Sequence, residues 1–499
     1  MYLSSTPPGF WGNLTPMQQA RLQEIWTLLL HLAEASSLGA LEQFVQVNSV
    51  NTLDPVCSPA RSSLSLSSPT SPSTRRNSLF SRPASRSVIR KHQRASVSIY
   101  HTRLLNTFRD VGLTTSQVRS VRDFLTQMDP EEVRFGLFTA AKHEHPDVYL
   151  LRFLRVFEWD VSEALVHLLK SIAWRLKEMQ VDTVLLPRGE LYAAQQEAYN
   201  SHSSKGAKAK GFMKQVRIGK GFVHGVDRMN RPIAVVRMRL HRPGDQSLES
   251  LNQFVTHIAE STRLLMSPPV ETATILFDMT GFSLANMEHS PLKFIIRCFE
   301  TYYPECLGVL LIHNAPRVFN GVWKVIKPWL SKRTVERIHF TRTVEELEEF
   351  IDRDHIIAEL GGDDDWEFEY IEPEADDNHR MNDLATRDAL LTERQSVAED
   401  FLSATSHWIL AARGGSRTDL NNAIRQRDHT IEQIRVNYWE LDPYVRARNN
   451  LDRTGVIKEG GVIDMYPLPK PSSPVQVHMA QALQVAHVRR AQIKVVNIS

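Results

Sequence analysis

The chain has 499 residues, and its 59 lysines and arginines are balanced by 57 aspartates and glutamates, for a formal charge of +2. So even a balance gives no global case for nucleic-acid binding, and an anionic partner has to be met by a local patch. Three cysteines, Cys57, Cys298 and Cys306, are too few and too scattered for a disulfide framework or a zinc site, which points to a reducing, cytosolic compartment.

The opening MYLSSTPPGFWGNL lacks the basic start and apolar run of a secretory signal. The longest apolar stretches, such as WTLLLHLA, fall far short of the ~20 residues a membrane span needs. A soluble or at most peripheral protein is expected. Residues 10–35 predict a leading helix, with Thr15-Pro16 as cap and first turn and Leu22, Ile25, Trp26, Leu29 and Leu30 as its apolar stripe. Segment 48–100 is dominated by Ser, Thr, Pro and Arg and reads as disordered. Its RRNS tetrapeptide, Arg75 to Ser78, is either a basophilic-kinase site or a plain solvated linker. Phosphate there would add roughly −2 charge and weaken attraction for acidic membranes.

Residues 104–180 read as several short helices. The following KGAKAKGFMKQVRIGKG carries Lys205, Lys208, Lys210, Lys214, Arg217 and Lys220 without an acidic residue, and reads as a loop, either solvated or touching anionic headgroups. From about residue 212 the pattern becomes that of an α/β domain extending to 372. GFVHGVDRMNRPIAVVRMR predicts a hairpin, with Asn230 taking the left-handed turn conformation. TATILFDM and LGVLLIHN are short apolar runs, as expected of strands buried on both faces. The helical SPLKFIIRCFETYYP separates them, and RIHFT and VEELEEFI follow as strand and helix, so a mainly parallel sheet with helical crossovers is predicted. An acidic, turn-rich GGDDDWEFEYIEPEADDN closes the domain. Residues 380–445 read as a helical hairpin joined by RGGSRTD, and 446–499 as a tail.

Within NAPRVFNGVWKVIKPWL, Phe319, Val322, Trp323, Ile326, Trp329 and Leu330 line one face of a helix, with Lys324 and Lys327 opposite. Asn314 and Pro316 read as start signals, and Pro328 bends or ends the helix. Periodicity alone fits either an ordinary core-facing helix or a lid over an apolar cavity.

Enzyme signatures fail. The glycines of GKGFVHG miss the dinucleotide spacing, there is no phosphate-binding lysine loop, and GFSLA lacks the second glycine of a nucleophile elbow. HEHP, His143 to Pro146, has no third metal partner and reads as surface. Asp278, at the end of a buried strand, reads as a hydrogen-bonding carboxylate. No catalytic residue, metal or cofactor is assigned.

The order of elements then becomes informative. LLRFLRVFEWDVSEALVHLLKSIAWR, GVDRMNRPIAVV, ILFDMTGFS, YYPECLGVLLIHNAPRVFNGVWKVIKPWL, RIHF and ELGG together resemble the CRAL-TRIO family of lipid-binding proteins. PGFWGNLTPMQQARLQEIW is similar to the leading helix of its fungal phosphatidylinositol-transfer branch. The resemblance implies a helical amino-terminal part and a mainly parallel sheet flanked by helices, enclosing an apolar lipid pocket. The helix after NAP would be its gate, with Phe319, Val322, Trp323 and Ile326 on the pocket side. It further implies a headgroup site at Glu305, Thr334 and Arg337. Phe157 and Glu158 stand where the family has an Arg and a Lys, which removes two cations from the phosphate and adds an anion. Ala273 and Ile275 replace two hydroxyl residues that ligate phosphatidylcholine, so a sterol, an isoprenoid or another neutral hydrophobe is expected as counter-ligand.

The function expected is therefore non-enzymatic: exchange of a phospholipid, phosphatidylinositol among the candidates, and a second hydrophobic ligand between membranes. The protein would be cytoplasmic and transiently peripheral, with no nucleic-acid partner. The rival reading is a lipid-sensing scaffold or regulator without transfer activity.

Overall fold

The computed structural model describes residues 6–47, 108–109 and 112–467. The expected disordered insertion 48–100 and the chain after residue 467 lie outside the described residues. Two compact units are formed, one of residues 6–27 and 133–467, the other of the described residues between 28 and 132. Helix α1 (Pro16–Val47) opens on a proline, whose missing N–H costs nothing in a first turn. In the smaller unit, α2 (Thr115–Leu125) starts at a capping box. Thr114 Oγ1 accepts from the Gln117 N–H at 3.3 Å, and Gln117 Oε1 accepts from the Thr114 N–H at 2.8 Å. Val118, Val121, Phe124 and Leu125 form its buried face.

Helices α3 (Pro130–Ala141), α4 (Pro146–Val156), α5 (Val161–Ala173), α6 (Leu186–Tyr199) and α7 (Ser204–Arg217) lead to the sheet. The basic stretch expected to be a loop is α7 itself. Ser203 Oγ caps it, accepting from the Gly206 N–H at 3.0 Å, and Ala209, Phe212, Met213 and Val216 form a buried stripe at helical spacing. Its cations are largely spoken for: Lys208 pairs with Glu249, Lys214 with Asp245 at 2.8 Å, and Arg217 with Glu197 at 2.6 Å. These carboxylates come from elsewhere in the chain, so the local run looked uncompensated.

Five strands follow in the order β1 (Gly221–Val226), β2 (Pro232–Arg237), β3 (Ala273–Asp278), β4 (Leu307–His313) and β5 (Ile338–Thr341). β1 and β2 form the antiparallel hairpin, and β2 to β5 run parallel. Asn230 holds the turn at φ +58°. Buried Asp227 braces it, its Oδ1 accepting from the N–H groups of Met229 and Arg231 at 2.9 Å each, and its Oδ2 from Thr274 Oγ1 at 2.5 Å. Side chains alternate across a strand, so the two faces can be read separately. Ile233, Val235, Leu276, Val309 and Leu311 pack with Leu347, Ile351 and Ile356 into a closed core. The opposite face carries Ala234, Ala273, Ile275, Leu310 and Ile312, and helix α8 (Leu248–Leu264) contributes Leu251, Phe254 and Ile258 over it, leaving a hollow.

Helices α9 (His289–Arg297), α10 (Phe319–Ile326), α11 (Lys332–Glu336) and α12 (Val344–Glu348) complete the α/β part. The carboxyl-terminal hairpin consists of α13 (Leu384–Gly414) and α14 (Arg417–Val445). It is tied to α4 by Arg427, whose guanidinium donates to both oxygens of Asp147 at 2.8 and 2.5 Å. Trp26 Nε1 donates to the same carboxylate at 2.6 Å, and Trp26 meets Phe401 edge-on at 5.4 Å. Arg394 is buried and donates to the carbonyls of Phe138 and Lys142, the open end of α3, at 3.1 and 3.0 Å. Beyond the hairpin, α15 (Asn450–Arg453) returns to the α/β part, where Arg453 pairs with Glu190.

Arg427→Ala would leave Asp147 a buried, uncompensated carboxylate. A loss of about 3–5 kcal/mol is expected, read as a lowered thermal midpoint. Burial raises the Asp147 carboxyl, but Arg427, His145 and Trp26 outweigh it and leave it at about 2. Glu144, also raised by burial, is brought to about 2 by Arg152 and Arg263. Both lie below the unfolded values of ~3.9 and ~4.3. Their stabilisation is therefore full above about pH 4.5 and lost as pH falls toward 2. Burial also lowers the neighbouring His145 to about 4 and lowers His143 from the ~6.5 of an unfolded imidazole, so stability is lost from about pH 6.5 downward. The thermal midpoint should decline between about pH 7 and 5 and drop more steeply below about 4.

Candidate functional site

The hollow over the sheet is a cavity of about 240 Å³. Its walls are almost wholly apolar. β3 supplies Ala273, Ile275 and Phe277, α8 supplies Phe254, Val255 and Ile258, and α9 supplies Leu292, Ile295 and Ile296. Both replaced hydroxyl positions, Ala273 and Ile275, face the cavity and give it no hydrogen-bonding group. A space this apolar holds water poorly and favours a hydrocarbon occupant.

Helix α10 closes one side. Asn314 leaves β4 at φ +54°, its N–H donating to the Thr341 carbonyl at 2.9 Å. The Phe319 N–H donates to the Pro316 carbonyl, and the helix then runs only to Ile326 before a 3-10 turn through Pro328. Phe319, Trp323 and Ile326 line the cavity. Val322 packs beside them, against the cluster of Met279, Phe282 and Leu310, without being part of the lining. Phe319 meets Phe282 edge-on at 5.8 Å, and Trp323 meets Phe340 at 5.3 Å. Lys324 and Lys327 are exposed, as are Val318 and Val325 beside them.

At another margin of the cavity stands a charged group. Glu305, in the turn before β4, is buried and held at φ +56°, a conformation rare for a residue with a side chain. Arg337, just before β5, donates to both of its carboxylate oxygens at 2.8 Å and to the Leu307 carbonyl at 2.9 Å. Thr334 is buried in α11, its Oγ1 accepting from Ser331 Oγ at 3.0 Å, and it lines the cavity. The expected Glu305, Thr334 and Arg337 thus come together. Two arginines not singled out in the sequence join them: Arg155 Nε lies 3.5 Å from Glu305 Oε2, and Arg333 Nε lies 3.7 Å from Oε1. Arg155 sits two residues before Phe157 in RVFEWD, a signal that was available. Phe157 itself leans on His167 at 4.2 Å, and Glu158 is exposed.

HEHP does not lie on the surface. His143, Glu144 and His145 are all buried, and each finds a polar partner inside the protein. Glu144 takes Arg152 at 2.6 Å and Arg263 at 2.9 Å, while His143 meets the Met266 carbonyl at 2.8 Å. His145 Nδ1 caps α4 by accepting from the Asp147 N–H at 2.9 Å. Glu260 extends the network to Lys142 at 2.8 Å, Arg175 at 2.6 Å and the Tyr303 hydroxyl at 2.7 Å. Arg263 and Tyr303 border the cavity. Asp278 accepts from Arg239 at 2.6 Å and from the Thr280 N–H at 2.9 Å. Among the described residues, Asp352, Asp354 and His355 bring possible metal ligands within 4.8 Å of one another. Asp352 already pairs with Arg228 at 3.0 Å, and His355 Nδ1 meets the Val226 carbonyl at 3.2 Å. No helix among the described residues is long and apolar enough to cross a membrane.

Fold and site together define a class: an α/β domain whose mainly parallel sheet floors an apolar cavity, lidded by a short aromatic helix. Residues 217–362 match the CRAL/TRIO domain, and residues 117–170 match the CRAL/TRIO N-terminal domain. A CRAL-TRIO domain-containing protein of Schizosaccharomyces pombe is 34% identical over 89% of this chain and 91% of its own length. The phosphatidylinositol transfer protein CSR1 of Eremothecium gossypii is 36% identical over 67% of this chain and 74% of its own. The chain belongs to the CRAL-TRIO family.

If Glu305 and Arg337 act as one unit, their single substitutions, Glu305→Gln and Arg337→Met, should not add. A double-mutant cycle on thermal stability is expected to return a coupling of about 0.5–3 kcal/mol.

Proposed function

We propose that this protein is a lipid carrier that exchanges a phospholipid for a second, neutral hydrophobic ligand. The observation that carries the reading is the juxtaposition of an almost wholly apolar cavity, lined in part by Thr334, with the ion pair of Glu305 and Arg337 at its margin. Acyl chains would lie in the cavity, where each buried methylene contributes about 0.8 kcal/mol. The headgroup would meet Glu305 and Arg337: a carboxylate accepts from inositol hydroxyls, and a guanidinium matches a phosphate. The name of the Eremothecium relative, a phosphatidylinositol transfer protein, supports the inositol lipid as first choice.

The second ligand would lie against Ala273 and Ile275, which offer no donor or acceptor to a choline or other polar headgroup. Sterols and isoprenoids fit this wall better than phosphatidylcholine. Exchange requires the cavity to open, and α10 is the element suited to it. Short and held mainly by the rings of Phe319 and Trp323, it turns Lys324 and Lys327 outward, where an anionic membrane could engage them.

Native mass spectrometry of the purified full-length chain, followed by lipid extraction, tests the reading. Phosphatidylinositol and a neutral hydrophobe are expected in separate populations, and vesicle-to-vesicle transfer should follow. Ala273→Phe, which adds a ring inside the cavity, should reduce both at little cost in thermal midpoint. Consistently empty, well-folded protein that moves no lipid would overturn the proposal and favour a scaffold.

A further inference from the structure

Glu305 and Arg337 stand where β4 and β5 begin. At the other end of the strands, β2, β3 and β4 finish in register at Arg237, Asp278 and His313. There the apolar cavity carries polar residues in its wall: Lys220, His241, Asn286 and Glu288 all line it. Lys220 is tied to this end of the sheet by its carbonyl, which accepts from the Arg237 N–H at 2.8 Å. The six residues of β3 separate the two ends, roughly 17 Å at ~3.3 Å per residue. One small polar group cannot reach both. The carboxyl ends of the strands are also where open α/β sheets characteristically hold their ligands.

Lys220 is 4% exposed, and its ammonium is held loosely by neutral atoms. Gln215 Oε1 lies at 3.3 Å, Gln246 Oε1 at 3.2 Å and His241 Nδ1 at 3.4 Å, all longer than the ~2.8 Å of a good charge-assisted bond. His241 is fixed from behind, since Asn286 Nδ2 donates to its carbonyl at 2.7 Å. Its Nε2 lies 3.3 Å from Glu288. An ammonium only donates and a carboxylate only accepts, so the imidazole between them is neutral and carries its proton on Nε2. Burial and the nearby Lys220 both push His241 toward that neutral form. Burial also brings the Lys220 amine down to about 8, with Lys214 adding to the shift and Asp245 and Glu288 opposing it, so the ammonium persists at neutral pH. Lys214 pairs with Asp245 at 2.8 Å, and Arg242 beside them is exposed. Glu288, one imidazole away, is left to balance Lys220. The group is thus neutral as a whole, with a donor at one end and an acceptor at the other.

We infer that Lys220, His241 and Glu288 form a seat for the polar end of the second ligand, and that this ligand is an alcohol, a hydrophobe bearing a single terminal hydroxyl. A hydroxyl both accepts and donates, so its oxygen takes a bond from Lys220 and its proton goes to Glu288. A ligand carboxylate would find Lys220 already balanced and would meet Glu288 as a like charge. A pure hydrocarbon would add no acceptor to a lysine whose bonds are all long. The inference rests on the carrier reading and narrows its neutral ligand to one class. Seated here, the alcohol and a phospholipid held near Glu305 would compete for the hydrocarbon space between them and not for the same polar groups.

The test uses the full-length chain, loaded from phosphatidylcholine vesicles that contain cholesterol and its hydrocarbon counterpart cholestane in equal amounts, with bound lipid counted by native mass spectrometry. A parallel series of hexadecanol, hexadecane and palmitate varies the polar end on one chain. Wild-type protein should retain each alcohol about tenfold over its hydrocarbon, the scale of one hydrogen bond to a charged donor. Lys220→Met, which keeps the length of the side chain and removes its donor, should bring that ratio to about one. Glu288 is partly exposed, so Glu288→Gln should fold normally, and it should lower the ratio severalfold. Equal retention of alcohol and hydrocarbon by the wild type, or an undiminished preference in both variants, would overturn this inference while leaving the carrier reading intact. Palmitate retained ahead of hexadecanol would overturn the alcohol assignment and make the seat one for a carboxylate. Wild-type protein that loads phospholipid but no neutral lipid of either kind would overturn the neutral half of the carrier reading, and this inference with it.

Discussion

A parallel sheet has to keep both faces from water, and this one meets the requirement in two different ways. One face closes on α12 and the following segment with interdigitated side chains. The other is roofed at a distance, by α8, α9 and α10, and the gap between roof and sheet is the cavity. The strands are as apolar on the hollow side as on the packed side. An empty apolar space forfeits dispersion contacts that a hydrocarbon would restore, so the same residues that stabilise the fold create its affinity for a ligand.

The stability of such a hollow domain has to come from around it. Glu144 and Glu260 each draw several cations into the interior, and the hairpin adds Arg427 and Arg394 to that interior. Buried ion pairs contribute little net stability compared with apolar packing, but they penalise any arrangement that separates them. Here they join α3, α4, α8 and α14 into one frame, which reaches the cavity wall at Arg263 and Tyr303. Helix α10 lies outside that network and is held by aromatic contacts.

The charged margin differs in character from that frame. Within the frame Glu144 and Glu260 are each held at 2.6 Å by an arginine. Around Glu305 one arginine is fully engaged and two stand off at 3.5 and 3.7 Å, and Glu305 is left-handed, as Lys142 is within the frame.

Much of this was readable along the chain. Apolar runs and period-3.6 patterns identified the strands and the short helix Phe319–Ile326, and Asn230 marked the hairpin turn, whereas Glu305, Thr334 and Arg337 were named only through the family resemblance. These signals act over a few residues, where backbone sterics and side-chain periodicity are decided. What only the tertiary structure decided were the charges. Lys208, Lys214 and Arg217 looked unpaired, HEHP looked exposed, and Arg155 was not singled out. Each takes its meaning from a partner far away, as Asp147 does from Arg427, 280 residues on. A charged side chain reads the same in sequence whether water or a buried counter-ion surrounds it, and only the folded chain determines which.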